Sequence, residues 1–281
     1  MNALFNTIKP DAVPTHAVPT HNTVQAYEQN HKTAQVVALS IAEEVPVALV
    51  YNGISQVVLM ATPQHLVELA YGFSLTEGII EQASQIYQVE TEVSASGISL
   101  HIELASACFA KLKQRRRQLA GRTGCGLCGI EALNQMIPEL PIVNAQLTMT
   151  AAQLAQGFAQ LTSQQSLNQL TGGCHAAALW QTNGRQNNGR QANGTLHVFE
   201  DVGRHNALDK LIGWRLLNQN PSGAVLLTSR LSYELIQKAA YAQLPLVAAI
   251  SAPTGMAVRL AQQSGIRLAV FVREGRVTWL D

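Results

Sequence analysis

The cysteines Cys125 and Cys128 are the residues of this 281-residue sequence best placed to do chemistry. They have the C-x-x-C spacing and lie within residues 122–129, RTGCGLCG, which contain three glycines. A thiol reacts as its thiolate, and a nearby cation or a helix N-terminus lowers its pKa from about 8.5. Arg122 supplies the cation, and the apolar pattern after Gly129 predicts the helix. Because the glycines also let another molecule approach the backbone closely, the segment predicts an exposed, reactive sulfur loop.

The other two cysteines, Cys108 and Cys174, bring the total to four, which is too few for a disulfide-stapled framework. Cys108 falls on the apolar side of a helix predicted over residues 108–119. A free cysteine in such a place behaves as a small buried hydrophobe. We therefore expect Cys108 to be structural.

The composition narrows the class of protein. Apolar residues make up 47% of the chain and charged residues 13%, as in an ordinary globular protein. The net charge of +1 excludes bulk electrostatics as the main determinant of partners, and we expect no nucleic acid partner. The sequence shows no signal-peptide pattern and no apolar run long enough to span a bilayer, so we expect no membrane partner and a cytoplasmic location.

The first half of the chain divides into a tail and a small domain. Residues 1–33 carry a tandem repeat, AVPTHAVPTH, whose prolines and lack of apolar bulk predict a disordered tail. Residues 34–120 predict a small N-terminal β-plus-helix domain, in which Asn52 and Gly53 mark a hairpin. Residues 121–146 then hold the C-x-x-C loop and a linker helix.

Residues 147–281 predict a larger α/β domain, interrupted at 183–194 by an Asn- and Gly-rich flexible insertion. Its apolar strands alternate with helices; the strands are predicted at 174–180, 195–199, 224–228, 246–250 and 268–272, and two of the helices at 232–242 and 254–264. Such alternation predicts a parallel sheet covered by helices on both faces. Ligands bind beyond the carboxyl ends of such strands. Polar loops follow these ends, at 200–206, 229–230, 251–255 and 273–276, and all but the third contain an arginine, which favours an anionic, nucleotide-like ligand.

From about residue 35 onward the sequence resembles the formate dehydrogenase accessory sulfurtransferase family (FdhD). The resemblance is carried by three motifs: GRTGCGLCG at 121–129, TGGCHAA at 171–177 and EDVGRHNALDK at 200–210. Shorter matches are SR at 229–230, SAPT at 251–254 and FVREGR at 271–276. Together these motifs are specific, whereas a lone C-x-x-C is not.

The resemblance implies a mixed α/β protein (α+β overall) and a function. The larger domain is expected to be a three-layer α/β/α unit similar to cytidine deaminases, and the protein a homodimer. A cysteine desulfurase would load sulfur onto the C-x-x-C loop as a persulfide. The sulfur would then pass to the bis-molybdopterin guanine dinucleotide molybdenum cofactor, Mo-bis(MGD), which the formate dehydrogenase catalytic subunit needs in sulfurated form.

The same resemblance assigns roles to residues. Cys125 would carry the persulfide, and Cys128 would be its partner thiol. The cofactor, bound as cargo, would contact the segment Phe271, Val272, Arg273, Glu274, Gly275 and Arg276, with His175, Arg204, Ser229 and Ser251 lining its guanine dinucleotide site. No permanently bound metal is expected.

Four alternatives differ from this hypothesis in class. A thiol–disulfide oxidoreductase also uses C-x-x-C, but here the motif does not follow a strand in a compact thioredoxin-like unit. A zinc deaminase needs H-x-E before P-C-x-x-C, whereas two alanines follow His175 and the C-x-x-C comes first. A structural zinc site could use Cys125, Cys128, Cys174 and His175. A non-catalytic chaperone would hold the cofactor and use its C-x-x-C structurally.

Overall fold

The computed structural model describes residues 18–29, 34–121, 139–182, 194–273 and 275–280, and the structural statements below concern these residues. Seven α-helices and three sheets form a mixed α/β protein within these ranges. This confirms the expected fold class. None of the helices in the described ranges has the length and apolar character that crossing a membrane requires.

A two-stranded ribbon opens the described chain. Its strands are β1 (His21–Gln29) and β2 (Ala34–Ala42), which pair antiparallel in unbroken register. The prediction of a disordered tail up to residue 33 is therefore wrong for residues 21–29. Most side chains of β1 are exposed, so this strand is made by backbone pairing and lacks the burial pattern by which a strand is found in a sequence.

A four-stranded sheet follows, in the order β4-β3-β6-β5. Its strands are β3 (Val45–Tyr51), β4 (Ile54–Ala61), β5 (Ile86–Ser94) and β6 (Gly97–Leu104), and its helices are α1 (Leu66–Thr76) and α2 (Ser106–Gly121). Asn52 and Gly53 have φ values of 45° and 79°. Two positive φ values are what a two-residue hairpin turn requires, so the predicted hairpin is confirmed.

The second half of the chain forms a six-stranded sheet in the order β12-β11-β10-β9-β7-β8. Its strands are β7 (His175–Gln181), β8 (Thr195–Asp201), β9 (Ala224–Leu227), β10 (Leu246–Ala249), β11 (Arg267–Arg273) and β12 (Arg276–Leu280). The strands β9, β10 and β11 are parallel, as expected. The sheet as a whole is mixed, because β7 runs antiparallel to β9 and each outer strand returns as a hairpin.

Helices cover both faces of this sheet. On one face, α3 (Ala151–Gln164) packs Leu154, Phe158 and Leu161 against the strands. On the other face lie α5 (Arg204–Leu217), α6 (Tyr233–Tyr241) and α7 (Gly255–Ser264). The short helix α4 (Ser166–Thr171) leads into β7. The predicted α/β/α layering is thereby confirmed.

The two sheets share one hydrophobic core. Buried residues of the four-stranded sheet, such as Leu49 and Leu100, belong to the same cluster as Leu208 of α5 and Val225 of β9. The helix α1 joins the two halves by packing along α5. Residues 139–146, which were expected in a linker segment, have no regular secondary structure and are tied to the end of α7, where the Val143 N–H donates to the Ser264 carbonyl at 2.8 Å.

Candidate functional site

The polar loops predicted at the strand ends do gather at one edge of the large sheet. His175, the first residue of β7, is paired with Asp201, the last residue of β8. Because β7 is antiparallel to β9, the start of β7 lies beside the carboxyl end of β9, where the Ala176 N–H donates to Thr228 Oγ1 at 2.9 Å. The parallel strands β10 and β11 end at the same edge.

Backbone hydrogen bonds tie neighbouring loops of this edge together. The Leu231 N–H donates to the Ala252 carbonyl at 3.1 Å, and the Thr254 N–H donates back to the Leu231 carbonyl at 2.9 Å. The hydroxyl of Thr254 then caps α7 by accepting from the Ala257 N–H at 3.2 Å. Ser229 is 4% exposed and its hydroxyl donates to the Arg230 carbonyl, so its side chain shapes the loop.

Arginines make this edge electropositive. Arg230 follows β9 and Arg273 ends β11, and both are exposed. Arg259 of α7 folds back so that Nη1 lies 3.6 Å from the position a Cβ would take on Gly255, at the start of the helix. Within the described ranges, none of these three guanidinium groups has a carboxylate within 4.0 Å. Among the described residues, these three arginines therefore place positive charge without a paired carboxylate where α/β sheets bind ligands.

Arg204 is partly neutralised. Its Nη2 lies 4.0 Å from Glu234 Oε2, and the same oxygen lies 3.0 Å from His205 Nε2. Ser232 also donates to Glu234 Oε2, at 3.2 Å. This one carboxylate therefore orders the start of both α5 and α6 beside the electropositive edge.

The segment before β7 is held by a carboxylate. Glu200 accepts the N–H groups of Leu167 and Asn168 at 2.9 and 2.8 Å, and Asn168 Oδ1 accepts the Cys174 N–H at 3.1 Å. Burial, and then Glu200, raise the pKa of the Cys174 thiol. A buried thiol with a raised pKa is a poor nucleophile at neutral pH, so Cys174 is suited to packing.

The predicted cofactor segment at 271–276 contains one unusual backbone position. Phe271 has φ 53° and is 38% exposed, and the pairing of β11 with β12 is irregular between Val270 and Arg273. Positive φ costs a bulky residue about 1–3 kcal/mol, and such strain concentrates at functional sites. The backbone conformation at Phe271 leaves its aromatic ring partly exposed at the electropositive edge.

Val272 does not fit its predicted role. It is 1% exposed and packs in the core cluster that includes α3, because strand alternation points it away from solvent. Its side chain is therefore not available to a ligand. Glu274 lies outside the described residues, and Gly275 has φ 74°, as the turn between β11 and β12 requires.

A buried ion pair that was not predicted lies next to the positive edge, at the end of β8. Asp201 and Lys210 are both 0% exposed, and Lys210 Nζ donates to Asp201 Oδ2 at 2.6 Å. The same carboxylate accepts the N–H groups of Thr62 and Gly203 and the amide of Asn206, at 3.1, 2.7 and 3.1 Å. Lys210 also donates to the Thr62 carbonyl at 3.0 Å. Asp201 thus joins the end of β4 to the loop that carries Arg204.

A second buried pair repeats the arrangement further along α5. Lys238 Nζ donates to Asp209 Oδ2 at 2.9 Å, and Thr76 Oγ1 donates to Asp209 Oδ1 at the same distance. These contacts join α6, α5 and α1. Much of the EDVGRHNALDK motif at 200–210 is therefore devoted to joining the two halves of the protein. No local pattern in the sequence indicates these pairs, because Asp201 and Lys210 are nine residues apart and Asp209 and Lys238 are 29 apart, outside the three- or four-residue spacing of ion pairs along a helix.

The two cysteines of the C-x-x-C pair lie outside the described residues, between the end of α2 at Gly121 and Glu139. Cys108 is 5% exposed in the core, which confirms its structural assignment. Within the part of the chain that the structure describes, no three His, Cys, Asp or Glu side chains converge on a common metal position. The sulfur loop and the positive edge are thus separate parts of the sequence.

Histidines make the stability of this region depend on pH. Burial lowers the pKa of four of them from the ordinary value of 6.5: His65, His175, His197 and His205. Below pH 6.5 the unfolded chain therefore binds more protons than the folded chain. The free energy of unfolding consequently decreases as the pH is lowered. We expect a lower urea midpoint at pH 5.5 than at pH 7.5, and a shallower dependence for His205→Gln. A midpoint that does not change over this range would contradict the expectation.

The chain is similar to known proteins over most of its length. The chain matches the FdhD/NarQ family over residues 42–280. It is 45% identical over 270 residues to the sulfur carrier protein FdhD of Cupriavidus necator, a match that covers 95% of this chain and 91% of that protein. It is 49% identical over 239 residues to the protein of the same name from Chromobacterium violaceum, covering 83% and 85%.

A solved structure is similar in fold. It is the crystal structure of a protein from Desulfotalea psychrophila described as a formate dehydrogenase accessory protein, with a TM-score of 0.69 and 24% sequence identity, covering 94% of this chain and 97% of that one. The family match spans most of the chain, and the curated relatives are nearly as long as it is. The chain therefore belongs to the FdhD/NarQ family.

Proposed function

We propose that this protein is a sulfurtransferase that carries sulfur, as a cysteine persulfide, to the molybdenum cofactor of formate dehydrogenase. The observation that carries the proposal is the C-x-x-C pair, Cys125 and Cys128, in a chain 45–49% identical to proteins named sulfur carriers. The donor is a cysteine desulfurase and the recipient enzyme is the catalytic subunit of formate dehydrogenase. The protein acts in the cytoplasm as a homodimer.

Loading is a thiol exchange at Cys125. Its thiolate attacks the outer sulfur of the desulfurase persulfide, a new S–S bond forms, and the desulfurase cysteine leaves as a thiolate. Arg122, three positions before Cys125, favours the attacking thiolate by its charge. No oxidant is consumed in this step.

Delivery requires two electrons, and this gives Cys128 a role. The outer sulfur of a persulfide must leave as sulfide if it is to replace an oxygen ligand on the metal without changing the metal's oxidation state. The Cys128 thiolate supplies the electron pair by attacking the inner sulfur of Cys125, so that a Cys125–Cys128 disulfide forms and HS⁻ leaves. A cellular dithiol then reduces the disulfide.

The electropositive edge is suited to the cargo. Mo-bis(MGD) carries pyrophosphate groups, and the unneutralised arginines Arg230, Arg259 and Arg273 surround the strand ends where such groups bind. His175, Arg204 and Ser251 lie at the same edge. The outward-facing ring of Phe271 offers a surface for stacking on a guanine or pterin ring.

The test of the proposal is intact-mass spectrometry after incubation with a cysteine desulfurase and L-cysteine. Wild type should gain about one sulfur, roughly 32 Da, which a reductant removes. Cys125→Ala should gain nothing, whereas Cys128→Ala should gain the sulfur and retain it when an acceptor is added. Cys174→Ala is the control and should behave as wild type.

The second candidate is a cofactor-holding chaperone with a structural C-x-x-C. It is favoured by the arginines at the positive edge, which suit binding of the anionic cofactor whatever the chemistry of the cysteines. Absence of the mass gain on wild type, with one equivalent of zinc per chain by metal analysis, would support it. The persulfide proposal would then fail, and binding of the cofactor would remain.

Nucleotide binding tests the electropositive edge separately from the sulfur chemistry. Guanosine diphosphate is a suitable probe because it matches the nucleotide half of the dinucleotide. We expect Arg230→Ala and Arg259→Ala each to raise its dissociation constant about tenfold, the loss of one charged hydrogen bond. Arg267 begins β11 at the opposite edge of the sheet, where it stacks on Trp279. The matched control Arg267→Ala should leave binding unchanged, and equal losses in all three variants would contradict the assignment.

A further inference from the structure

Glu234 is the carboxylate that the electropositive edge exposes among the described residues. The loops that end at this edge, with the first turns of the helices that follow them, contain three described carboxylates: Glu200, Asp201 and Glu234. Glu200 and Asp201 are 6 and 0% exposed, and their oxygens accept N–H groups of the chain itself. The Glu234 side chain is 43% exposed. Of the three, Glu234 is therefore the one that a ligand can contact.

Glu234 and Arg230 flank the same short loop. This loop follows β9, and Glu234 lies in the first turn of α6 directly after it. Hydrogen bonds of Leu231 with Ala252 and Thr254 hold the loop beside the one that follows β10. A carboxylate next to an anion site opposes the binding of an anion. The arrangement therefore suits an anionic ligand that also carries a hydrogen-bond donor for this carboxylate.

One oxygen of Glu234 is engaged within the chain, whereas the other is available. Oε2 accepts from His205 Nε2 at 3.0 Å and from Ser232 Oγ at 3.2 Å, and Arg204 Nη2 lies 4.0 Å from it. Oε1 has no donor among the residues that the structure describes. A carboxylate oxygen has about two acceptor sites, so Oε1 keeps its full capacity. Because the contacts at Oε2 already order the side chain, a ligand that binds Oε1 does not have to order it.

His205 orients Glu234 as a neutral donor. Burial, and then Arg204, lower the pKa of His205 from its ordinary value, so the imidazole is neutral at neutral pH. A carboxylate only accepts, so the proton in this hydrogen bond is on Nε2 of the imidazole. The histidine therefore positions the carboxylate without adding a positive charge that would neutralise it.

We propose that Glu234 recognises the guanine base of the cargo by accepting a hydrogen bond from its 2-amino group at Oε1. This inference rests on the guanine dinucleotide of the proposed function and names a residue that makes the site selective for it. Guanine has donors at N1 and at the 2-amino group, whereas adenine has an acceptor at N1 and no 2-amino group. Because an ionised carboxylate only accepts, Glu234 favours guanine over adenine. Loss of a hydrogen bond to a charged group is among the stronger ways to discriminate between ligands.

Isothermal titration calorimetry with guanosine and inosine diphosphates tests the assignment. The two nucleotides differ only in the 2-amino group, which inosine diphosphate lacks. Wild type should bind guanosine diphosphate at least about tenfold more tightly, the effect of one hydrogen bond to a charged acceptor. Glu234→Gln should lose this preference, because an amide N–H group would then face the 2-amino group.

Xanthosine diphosphate gives a result that a purely structural role of Glu234 would not produce. It has a carbonyl where guanine has the 2-amino group. In Glu234→Gln, His205 and Ser232 retain the amide oxygen at the position of Oε2, so the amide N–H group takes the position of Oε1 and donates to this carbonyl. The variant should therefore bind xanthosine diphosphate about tenfold more tightly than wild type does.

Glu92→Gln is the matched control. Glu92 Oε2 is also hydrogen-bonded to a histidine, His101 Nε2, at 2.8 Å, but this pair lies on the four-stranded sheet. The control should keep the wild-type order of affinities for the three nucleotides. Two results would overturn the proposal and leave the positive edge a nucleotide site: wild type that binds guanosine and inosine diphosphates equally, or Glu234→Gln that weakens all three nucleotides by the same factor. Wild type that binds none of them would overturn the cofactor site of the proposed function as well, so the two failures are distinguishable.

Discussion

Gly72→Ala is expected to lower the free energy of unfolding by about 3 kcal/mol, a large part of the roughly 5–15 kcal/mol that keeps a domain folded. The helices α1 and α5 touch backbone to backbone at this residue. A Cβ added at Gly72 would lie 1.8 Å from the Asp209 carbonyl oxygen and 2.9 Å from the Gly213 nitrogen. Backbone atoms cannot rotate away, so the helices must separate.

Gly213→Ala should have a similar effect, because its added Cβ would lie 1.8 Å from the Glu68 carbonyl oxygen. Inside a helix, alanine otherwise stabilises the fold by about 1 kcal/mol relative to glycine. A loss of stability in either variant can therefore be attributed to the close contact between the helices. Gly255→Ala at the start of α7 is the control, since its Cβ would meet Arg259 Nη1 at 3.6 Å. Urea unfolding followed by circular dichroism measures all three. A Gly72→Ala protein within about 1 kcal/mol of wild type would show that the helices are not in backbone contact.

Sequence reasoning located most of the elements because their signals are local. The Asn52-Gly53 turn and the apolar strands of the large sheet were predicted to within two residues at most ends. The close contact of α1 with α5 was not predicted, although Gly72 and Gly213 stand inside helical patterns where alanine is the better residue. A glycine in such a position signals a packing constraint, but it does not identify the other helix.

The position of the strand-end loops at one edge was predicted, because it follows from the direction of the strands. Loops that follow parallel strands must meet at one edge, so Arg204 and Ser251 come together by topology alone. His175 begins its strand and joins them because β7 runs antiparallel to β9, which the expected parallel sheet did not include. Arg259 was missed because it belongs to a helix and reaches the edge by folding back over Gly255. Val272 was included with its motif although strand alternation buries it. Motif boundaries do not separate residues that face a ligand from those that face the core.

Asp201→Asn is expected to lower the free energy of unfolding by about 3–5 kcal/mol, the cost of breaking a buried ion pair. The four donors around the Asp201 carboxylate use both of its oxygens. An asparagine replaces one of these oxygens with an NH₂ group, which is itself a donor. That group would then face the donors that the lost oxygen had accepted from. Lys210 would then be left charged and fully buried, with the Thr62 carbonyl as its remaining acceptor among the described residues.

Lys210→Met should cost less, because Asp201 keeps three neutral N–H donors and the methionine fills most of the vacated volume. Burial already lowers the pKa of Lys210 from its ordinary value, against the opposing effect of Asp201. The double variant Asp201→Asn, Lys210→Met should lose less stability than the two single variants lose in sum, because it leaves no unpaired charge in the core. An additive double variant would show that the two residues do not act as a pair.

The exposed pair of Lys111 and Glu81 is the matched control for this ion pair. Its charges lie 3.7 Å apart with side chains 70 and 80% exposed. Lys111→Met should change the free energy of unfolding by less than about 0.5 kcal/mol, because water screens an exposed pair.

Loss of the buried pair should also affect ligand binding, whereas loss of the exposed pair should not. Asp201 holds both the Gly203 N–H before Arg204 and the Thr62 N–H after β4, so its loss should weaken guanosine diphosphate binding even where the protein remains folded. Unchanged binding by a folded Asp201→Asn protein would show that the positive edge is organised independently of the joint between the two sheets.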